Sequence, residues 1–268
     1  MKYDGFIFDI DGVLLDTSQS FTQAVLLAVK TATGSGLFNE KHIVQLKGIP
    51  GFNNDWDVAV AGAIWTGKSD GESFNDFIHK LEQYHGGTEA LQSLAPSDYK
   101  IFKEPVPRLV MEAYGGTSAC QTLYGFEPQT ILVEGMWKNE ISFVSPEMIY
   151  PYLPVSGIVS GRNRTEMELA FKILGWELPW ERVAFSDIPA FNKPNPAYLV
   201  RIMNRMNCQY PVFLGDSRDD LELVKNYINQ TGNPMDFCCV GIQHGIKEFS
   251  LRVNHISEFF NNVGQYHG

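Results

Sequence analysis

Seven residues able to carry charge or donate a hydroxyl follow apolar runs of this 268-residue chain, at or shortly after the points where those runs end. They are Asp9, Asp11, Ser160, Lys193, Asp216, Asp219 and Asp220. Several carboxylates in one dry cleft repel each other, and a hard divalent cation such as Mg²⁺, which prefers oxygen ligands, relieves that repulsion. Lys193 and the Ser160 hydroxyl, with backbone N–H groups near Gly12 and Gly161, could hold the oxygens of a phosphoryl group.

The elements that must position these residues alternate between strands and helices. The run "FIFDI" predicts a buried strand that ends in acids, although burying an unpaired carboxylate costs roughly several kcal/mol. Further on, "PVSGIVSG", "RVAFSD", "YPVFLGDS" and "FCCVGI" predict strands, and helical patterns follow the first three of them. Such alternation predicts a parallel sheet with helices on both faces, whose ligands bind beyond the carboxyl ends of the strands.

Each of these polar residues has a plain structural explanation when taken alone. Ser160 and Gly161 are typical of a turn, "KPNP" is typical of a loop, and Asp220 is typical of the first turn of a helix. Coincidence at four consecutive strand ends is much less probable than at one. The joint pattern therefore carries the functional hypothesis.

Four segments resemble the four motifs of the haloacid dehalogenase (HAD) superfamily, in the family's order. "DIDGVLLDT" resembles the first motif, DxDG[VT], and "VSGIVSGR" resembles the second, although Ser takes the place of the more usual Thr. "NKPNP" resembles the third motif, a Lys before Pro, and "VFLGDSRDDLELVK" resembles the fourth, GDxxxD. The resemblance implies a Rossmann-like HAD core, a doubly wound parallel sheet of the α/β class, with a mostly α-helical cap domain inserted between motifs one and two.

The resemblance also implies a role for each motif residue. Asp9 corresponds to the nucleophile that forms an aspartyl-phosphate, and Asp11 to the general acid and base. Ser160, Gly161 and Lys193 correspond to the groups that bind the phosphoryl oxygens. The implied metal set consists of Asp9, Asp216, the backbone carbonyl of Asp11, and Asp220 at or near the ion, with Asp219 as a rival for this last role.

The domain organisation follows from the same reading. Residues 1–16 and 128–268 are assigned to the core, and residues 17–127 to the cap, where helical patterns replace the strands. The segment "SQSFTQAVLLAVKTAT" predicts a helix capped by Ser18, and "PVPRLVMEAYGG" predicts a helix that starts at prolines and ends at glycines. "DWDVAVAGAIW" and "SFNDFIHKLEQYH" predict two more.

The stretch "GFNNDWD", residues 51–57, lies between two of the predicted cap helices. Helical caps of the HAD superfamily place a turn over the active site there, so Asn53, Asn54 and Trp56 are candidate substrate contacts. The alternative interpretation is structural: Asn54 or Asp55 caps a helix, and Trp56 packs inside the cap. Both interpretations stay open at the level of the sequence.

Composition narrows the choice of partners. A net charge of −10 disfavours nucleic acid or an anionic membrane as the main partner. No apolar run approaches the ~20 residues of a membrane span, and the chain begins with a predicted strand rather than a leader. Four cysteines without a CxxC pair suggest neither a zinc site nor a disulfide framework, so a reducing cytoplasm is expected.

The function expected from the sequence is that of an enzyme, a Mg²⁺-dependent phosphatase acting on a small phosphorylated metabolite. An acid at position 11 fits hydrolysis of phosphate esters, because an alkoxide leaving group needs a proton. One alternative is a phosphomutase of the same fold. The other is a non-catalytic binding protein on the HAD scaffold.

Overall fold

The computed structural model describes residues 3–52, 54–67, 71–187, 192–241 and 246–264. The chain divides into two compact units. The α/β unit comprises Met1–Asp16 and Ile141–Gly268, and the helical unit comprises Thr17–Glu140. None of the helices in the described ranges is both long and apolar enough to cross a membrane.

A six-stranded parallel sheet forms the centre of the α/β unit. Its strands lie in the order β5-β4-β1-β6-β7-β8. They are β1 (Gly5–Phe8), β4 (Ser156–Val159), β5 (Val183–Ala184), β6 (Pro211–Gly215), β7 (Asp236–Val240) and β8 (Leu251–Val253). Two short antiparallel strands, β2 (Leu15–Asp16) and β3 (Ile141–Ser142), pair separately.

Helices cover both faces of this sheet. The helices of the unit are α8 (Pro146–Ile149), α9 (Arg164–Leu174), α10 (Ala197–Met206), α11 (Arg218–Thr231) and α12 (Ile256–Gly264). Successive strand residues point to opposite faces: Phe8 packs in one apolar cluster with residues of α9 and α12, and Ile7 packs in the other with residues of α10 and α11. The doubly wound α/β core predicted from the sequence is confirmed.

The register of the central strands brings the polar strand ends to one edge. Phe8 of β1 pairs with Ile158 of β4 on one side and with Leu214 of β6 on the other. The ladder continues one residue further, because the Asp9 amide donates to the Leu214 carbonyl over 3.0 Å. The residues that follow β1, β4 and β6 therefore leave the sheet side by side.

The helical unit contains seven α-helices in its described ranges. They are α1 (Phe21–Thr33), α2 (Glu40–Lys47), α3 (Asp55–Gly67), α4 (Phe74–Gln83), α5 (Gly87–Leu94), α6 (Pro96–Phe102) and α7 (Pro105–Tyr124). The first, third and seventh pack against one another, with the Phe21 and Tyr114 rings stacked at a centroid distance of 3.9 Å. The helices predicted near residues 18–33, 55–65 and 73–85 are confirmed.

Two local details differ from the sequence-based expectations. Ser18 does not cap α1; the N-cap residue is Ser20, whose hydroxyl donates to the Thr17 carbonyl and the Glu140 carboxylate. The helix predicted to end at Gly115–Gly116 continues to Tyr124 after a kink at Gly116, where φ is 57°. A side chain there would lie 2.2 Å from the Gly135 amide nitrogen, so this close approach requires glycine.

The second boundary between the units falls after Glu140, whereas the sequence pattern places it before residue 128. Hydrogen bonds hold the intervening segment to α7. The Glu112 carboxylate accepts from the Thr130 and Ile131 amides, and the Thr117 amide donates to the Val133 carbonyl. Because the segment has little regular secondary structure, its sequence gives no sign of which unit holds it. The identification of this unit as a substrate-selecting cap stays a prediction.

Candidate active site

Asp9 lies immediately beyond β1 and is 6% exposed. Its Oδ1 atom is 2.8 Å from the Lys193 Nζ atom. The same Nζ atom is 2.6 Å from Oδ1 of Asp220, and the Lys193 side chain is only 4% exposed. Three charged side chains that are distant in the sequence thus form one buried group, which we call the Asp9–Lys193–Asp220 triad.

The triad has strongly perturbed ionisation. Burial raises the pKa of Asp9 to about 7; the Lys193 ammonium opposes this rise, and the charges of Asp220 and Asp11 add to it. Burial lowers the pKa of Lys193, but Asp220 and Asp9 more than compensate and hold it above its usual range. Lys193 therefore stays positively charged, whereas the ionised form of Asp9 is disfavoured by its surroundings.

Asp220 is fully buried, and the backbone around it explains why. Its Oδ2 atom accepts hydrogen bonds from the Asp216 amide, the Ser217 amide and the Ser217 hydroxyl, at 3.2, 3.1 and 2.7 Å. Ser217 in turn caps α11 by accepting from the Asp220 amide. These bonds fix the loop after β6 and leave the other oxygen of Asp220 for Lys193. Asp220 thus acts on Lys193 and on the loop in this structure.

Three carboxylates are close enough to share a metal ion. Asp9, Asp216 and Asp220 each offer an oxygen, and these oxygens lie within 4.8 Å of one another. The residues fit a hard divalent cation, because three carboxylates and one ammonium leave a formal charge of −2 in a largely buried site. Gly12, with φ of 75°, makes room for the group: a side chain there would lie 2.2 Å from an oxygen of Asp216.

Asp219 does not join this group. It is 9% exposed and lies in the first turn of α11, where burial and the charge of Asp220 raise its pKa to about 6. Asp220, four residues after Asp216, lies beside Asp9 instead, as the spacing of GDxxxD suggests. The structure therefore brings Asp220, and not Asp219, to the candidate metal site.

The Asp11 carboxylate also lies outside the metal-capable group, and its partner is Arg162. The Nε and Nη2 atoms of Arg162 both donate to Oδ1 of Asp11, over 3.0 and 2.6 Å. Sequence reasoning missed Arg162 as a site residue, although it follows Ser160 and Gly161 directly in the second motif. The signal in the sequence was an Arg two residues after Ser160, the strand-end residue that supplies a hydroxyl.

Ser160 and Gly161 follow β4 at the same edge of the sheet. Ser160 is 5% exposed, its amide donates to the Ala184 carbonyl, and its hydroxyl accepts from the Arg162 amide at 3.2 Å. Gly161 is exposed, and no atom lies within 4 Å of a Cβ placed on it. Neither residue contacts the triad through a hydrogen bond among the described residues.

The three residues predicted to contact substrate belong to the helical unit. Asn53 lies outside the described residues. Asn54 caps α3 through its Oδ1 atom, which accepts from the Trp56 amide at 2.8 Å, and the Trp56 ring packs edge-on against Phe21 and Tyr124. The structural interpretation left open by the sequence thus describes Asn54 and Trp56, and their contact with substrate stays a prediction.

Solved structures resemble this chain over nearly its whole length. The phosphatase Tt82 from Thermococcus thioreducens has a TM-score of 0.68 and 22% identity over 97% of this chain and 98% of its own. A Lactobacillus delbrueckii subsp. bulgaricus protein, provisionally described as a phosphoglycolate phosphatase, has a TM-score of 0.59 and 18% identity over 98% and 99%. A Bacteroides fragilis protein, provisionally described as a haloacid dehalogenase-like hydrolase, has a TM-score of 0.51 and 14% identity over 96% and 100%.

Comparison of the amino-acid sequence alone finds no family model and no curated protein that matches the chain. The four short motifs and the shared architecture are therefore what connects this chain to known proteins, and the identities of 14–22% bear on the fold only. The chain has the fold of these phosphatases and haloacid dehalogenase-like hydrolases, which confirms at the level of the fold the resemblance seen in its motifs.

Proposed function

We propose that this protein is a Mg²⁺-dependent phosphatase that hydrolyses a small phosphorylated metabolite through an aspartyl-phosphate on Asp9. The observation that carries the proposal is the Asp9–Lys193–Asp220 triad, buried at the carboxyl edge of the sheet with Asp216 beside it. A buried carboxylate held by a buried ammonium is costly to the fold. The arrangement is useful for catalysis, because a carboxylate that attacks an anionic phosphoryl group needs a nearby positive charge.

Asp9 supplies the nucleophilic oxygen in this proposal. Lys193 holds Oδ1, and Oδ2 makes no hydrogen bond with any described residue, so Oδ2 is the oxygen available to attack. A bond forms between Oδ2 and phosphorus while the bond from phosphorus to the ester oxygen breaks. The Lys193 ammonium also offsets the negative charge of the incoming phosphoryl group, for which the resemblance to HAD enzymes adds Ser160 and Gly161 as further donors.

Asp11 handles the proton in both half-reactions. It donates a proton to the leaving ester oxygen, and it then removes one from the water that attacks the aspartyl-phosphate. Asp11 lies two residues after Asp9, beyond the same strand, which supports this role. The products are an alcohol and inorganic phosphate, and Asp9 returns to its free carboxylate.

Asp9 and Asp216, with the backbone carbonyl of Asp11, are the residues proposed to hold the Mg²⁺ ion. Asp220 fits a supporting role, since Lys193 and the loop before α11 already engage its two oxygens. When bound, the ion draws negative charge from the phosphoryl group and helps to orient it. Asp9 and Asp216 carry two of the charges that would otherwise repel the substrate.

The test is phosphate release from a panel of phosphorylated metabolites with Mg²⁺, with excess chelator, and with the Asp9→Asn variant as a blank. The panel includes phosphoglycolate, because the Lactobacillus delbrueckii protein with this fold is provisionally described as a phosphoglycolate phosphatase. Asp236→Asn is the matched control, since Asp236 bonds to Tyr3 and Ser250 at the start of β7. Conversion of a sugar phosphate to its isomer without free phosphate would indicate a mutase instead. Tight binding of a metabolite without turnover would indicate a binding protein.

The role of the 51–57 turn is a separate part of the proposal. Asn53, Asn54 and Trp56 are proposed to contact the part of the substrate beyond the phosphoryl group. Trp56→Ala is expected to lower kcat/KM about 10-fold or more for the best substrate of the panel, and much less for para-nitrophenyl phosphate. Equal losses for both substrates, or a lower melting temperature alone, would limit Trp56 to the packing seen against Phe21 and Tyr124.

A further inference from the structure

Arg162 is a buried guanidinium that forms an ion pair with Asp11. The Arg162 side chain is 1% exposed, whereas that of Asp11 is 30% exposed. Two of its N–H groups converge on the same oxygen, Oδ1, at 3.0 and 2.6 Å. The contact joins residues that are 151 positions apart and ties the first motif to the second.

The backbone of Arg162 is held on both sides, so the side chain starts from a fixed point. Its amide donates to the Ser160 hydroxyl at 3.2 Å, and its carbonyl accepts from the Ser186 amide at 2.8 Å. A guanidinium presents its N–H groups in a rigid plane, unlike the single rotating ammonium of lysine. The Arg162 plane therefore restricts both the position and the rotation of the Asp11 carboxyl group.

The two oxygens of Asp11 are consequently not equivalent. Oδ1 already accepts two hydrogen bonds from Arg162, while Oδ2 has no hydrogen-bond partner among the described residues. We propose that Arg162 is a positioning residue for the acid–base step: it occupies Oδ1 and so directs every proton transfer of Asp11 through Oδ2. This inference rests on the proposed function, because it assigns a means of control to the same active site.

A purely structural Arg162 would behave differently from a positioning residue. If Arg162 only filled space or carried a charge, its loss would affect all substrates in proportion to the loss of folded protein. If it orients Asp11, its loss should matter where the leaving group needs a proton. Alkoxide leaving groups need one, whereas para-nitrophenolate leaves readily without help.

The experiment compares kcat/KM for propyl phosphate and for para-nitrophenyl phosphate in Arg162→Gln, Arg162→Lys and Asp11→Asn, all corrected for folded protein. This quantity contains only the steps up to departure of the leaving group, so hydrolysis of the aspartyl-phosphate, which both esters share, does not enter it. We expect Arg162→Gln to lower kcat/KM for propyl phosphate about 10- to 100-fold, and for para-nitrophenyl phosphate less than about 3-fold. Arg162→Lys keeps the charge but not the planar fork, and should fall between wild type and Arg162→Gln. Adding Arg162→Gln to Asp11→Asn should cause little further loss, because both changes remove the same step.

Arg182→Gln is the matched control, since this arginine donates through Nη1 to the carbonyls of Leu153, Pro154 and Ser156 at the opposite end of β4. Its rates for the two esters should keep the wild-type ratio. The inference is overturned if Arg162→Gln lowers kcat/KM equally for both esters, if Arg162→Lys matches wild type, or if the double variant shows multiplied losses. Should Arg162→Gln not fold, the Arg162→Lys ratio decides alone. A wild type that hydrolyses neither these esters nor the metabolite panel refutes the phosphatase proposal itself, which distinguishes the two failures.

Discussion

Both units bury carboxylates, but they satisfy them in different ways. In the helical unit Glu112 is 1% exposed and Glu140 is 7% exposed, and each accepts hydrogen bonds from neutral groups. Glu112 binds backbone amides, and Glu140 binds the hydroxyls of Ser20 and Tyr114. In the α/β unit Asp9 faces the Lys193 ammonium instead, which also pairs with a second buried acid, Asp220.

The difference appears in the ionisation of the two sets. Burial raises the pKa of Glu112, but hydrogen bonds from the Ile131 and Thr130 amides outweigh it and bring that pKa below its usual value. The pKa of Asp9 moves the other way, to about 7, because burial and neighbouring acids outweigh its single cation. An acid that holds the fold is therefore surrounded by donors, whereas an acid proposed to react is left with an oxygen to spare.

The largest effect is expected from Asp9→Asn. An amide oxygen does not attack phosphorus, so phosphate release should fall by about 10⁴-fold or more, which corresponds to about 5.4 kcal/mol at 1.36 kcal/mol per decade. Circular dichroism should show a retained fold. The measurement is phosphate release at saturating substrate and Mg²⁺. Residual activity near the wild-type level would show that Asp9 is not the nucleophile, and the contrast between the two sets of acids would not reflect catalysis.

The next largest effect is expected from removing the cation that pairs with a buried acid, and the loss of stability should differ between the two units. Lys193→Met leaves Asp9 and Asp220 without their common cation and should lower the free energy of unfolding by about 3–5 kcal/mol. Arg108→Met removes the ion pair of Glu112, whose backbone hydrogen bonds remain, and should cost about 0–1 kcal/mol. Urea unfolding at pH 7 measures both. Equal losses would show that the two acids depend on their cations alike.

Glu112→Ala should produce a smaller effect that is confined to stability. The change leaves the Thr130 and Ile131 amides without their carboxylate acceptor, and the free energy of unfolding should fall by about 2–3 kcal/mol. The value of kcat per folded molecule should match wild type. A fall in kcat with unchanged stability would mean that Glu112 is more than an anchor for the segment before residue 141.

The smallest effect on stability is expected from a change at Asp57 in α3, and it discriminates best between the two kinds of acid. Burial raises its pKa from 3.8 to about 6, and no described residue pairs with it. A raised pKa in the folded state means that the charged form is disfavoured there, so stability is lost as the pH rises through about 6. The shift corresponds to at most about 3 kcal/mol at 1.36 kcal/mol per pKa unit, and water at the partly exposed carboxyl group reduces this. Asp57→Asn should therefore raise the free energy of unfolding by about 1 kcal/mol at pH 8, and by almost nothing at pH 4. Thermal unfolding at both pH values measures this.

The outcome for activity decides whether a raised pKa alone marks a reacting acid. Asp57→Asn should leave phosphate release unchanged, because no described residue gives Asp57 a cationic partner and Asp57 is not in the group of Asp9, Asp216 and Asp220. Loss of activity without loss of stability would bring Asp57 into the site and would weaken the contrast between the units.

The sequence by itself determined the α/β core and the identity of the strand-end residues. Strands β1, β4 and β6 are runs of four to five buried residues, and a parallel sheet places whatever follows them at one edge. Asp9 and Asp216 needed no further information. The spacing of GDxxxD favoured Asp220 over Asp219, but only the side-chain contacts with Lys193 and Ser217 show what occupies its two oxygens.

Tertiary structure alone decided the contacts between residues that are remote in the sequence. No local pattern connects Arg162 to Asp11, since the pair depends on how β1 and β4 align and on the direction that the Arg162 side chain takes. The attachment of residues 128–140 to α7 depends likewise on a buried carboxylate, Glu112, that the helical pattern reads as one more polar position. Periodicity reports which face of an element is buried; it carries no information about which distant polar group a buried charge will meet, because that is set by the packing of the whole unit.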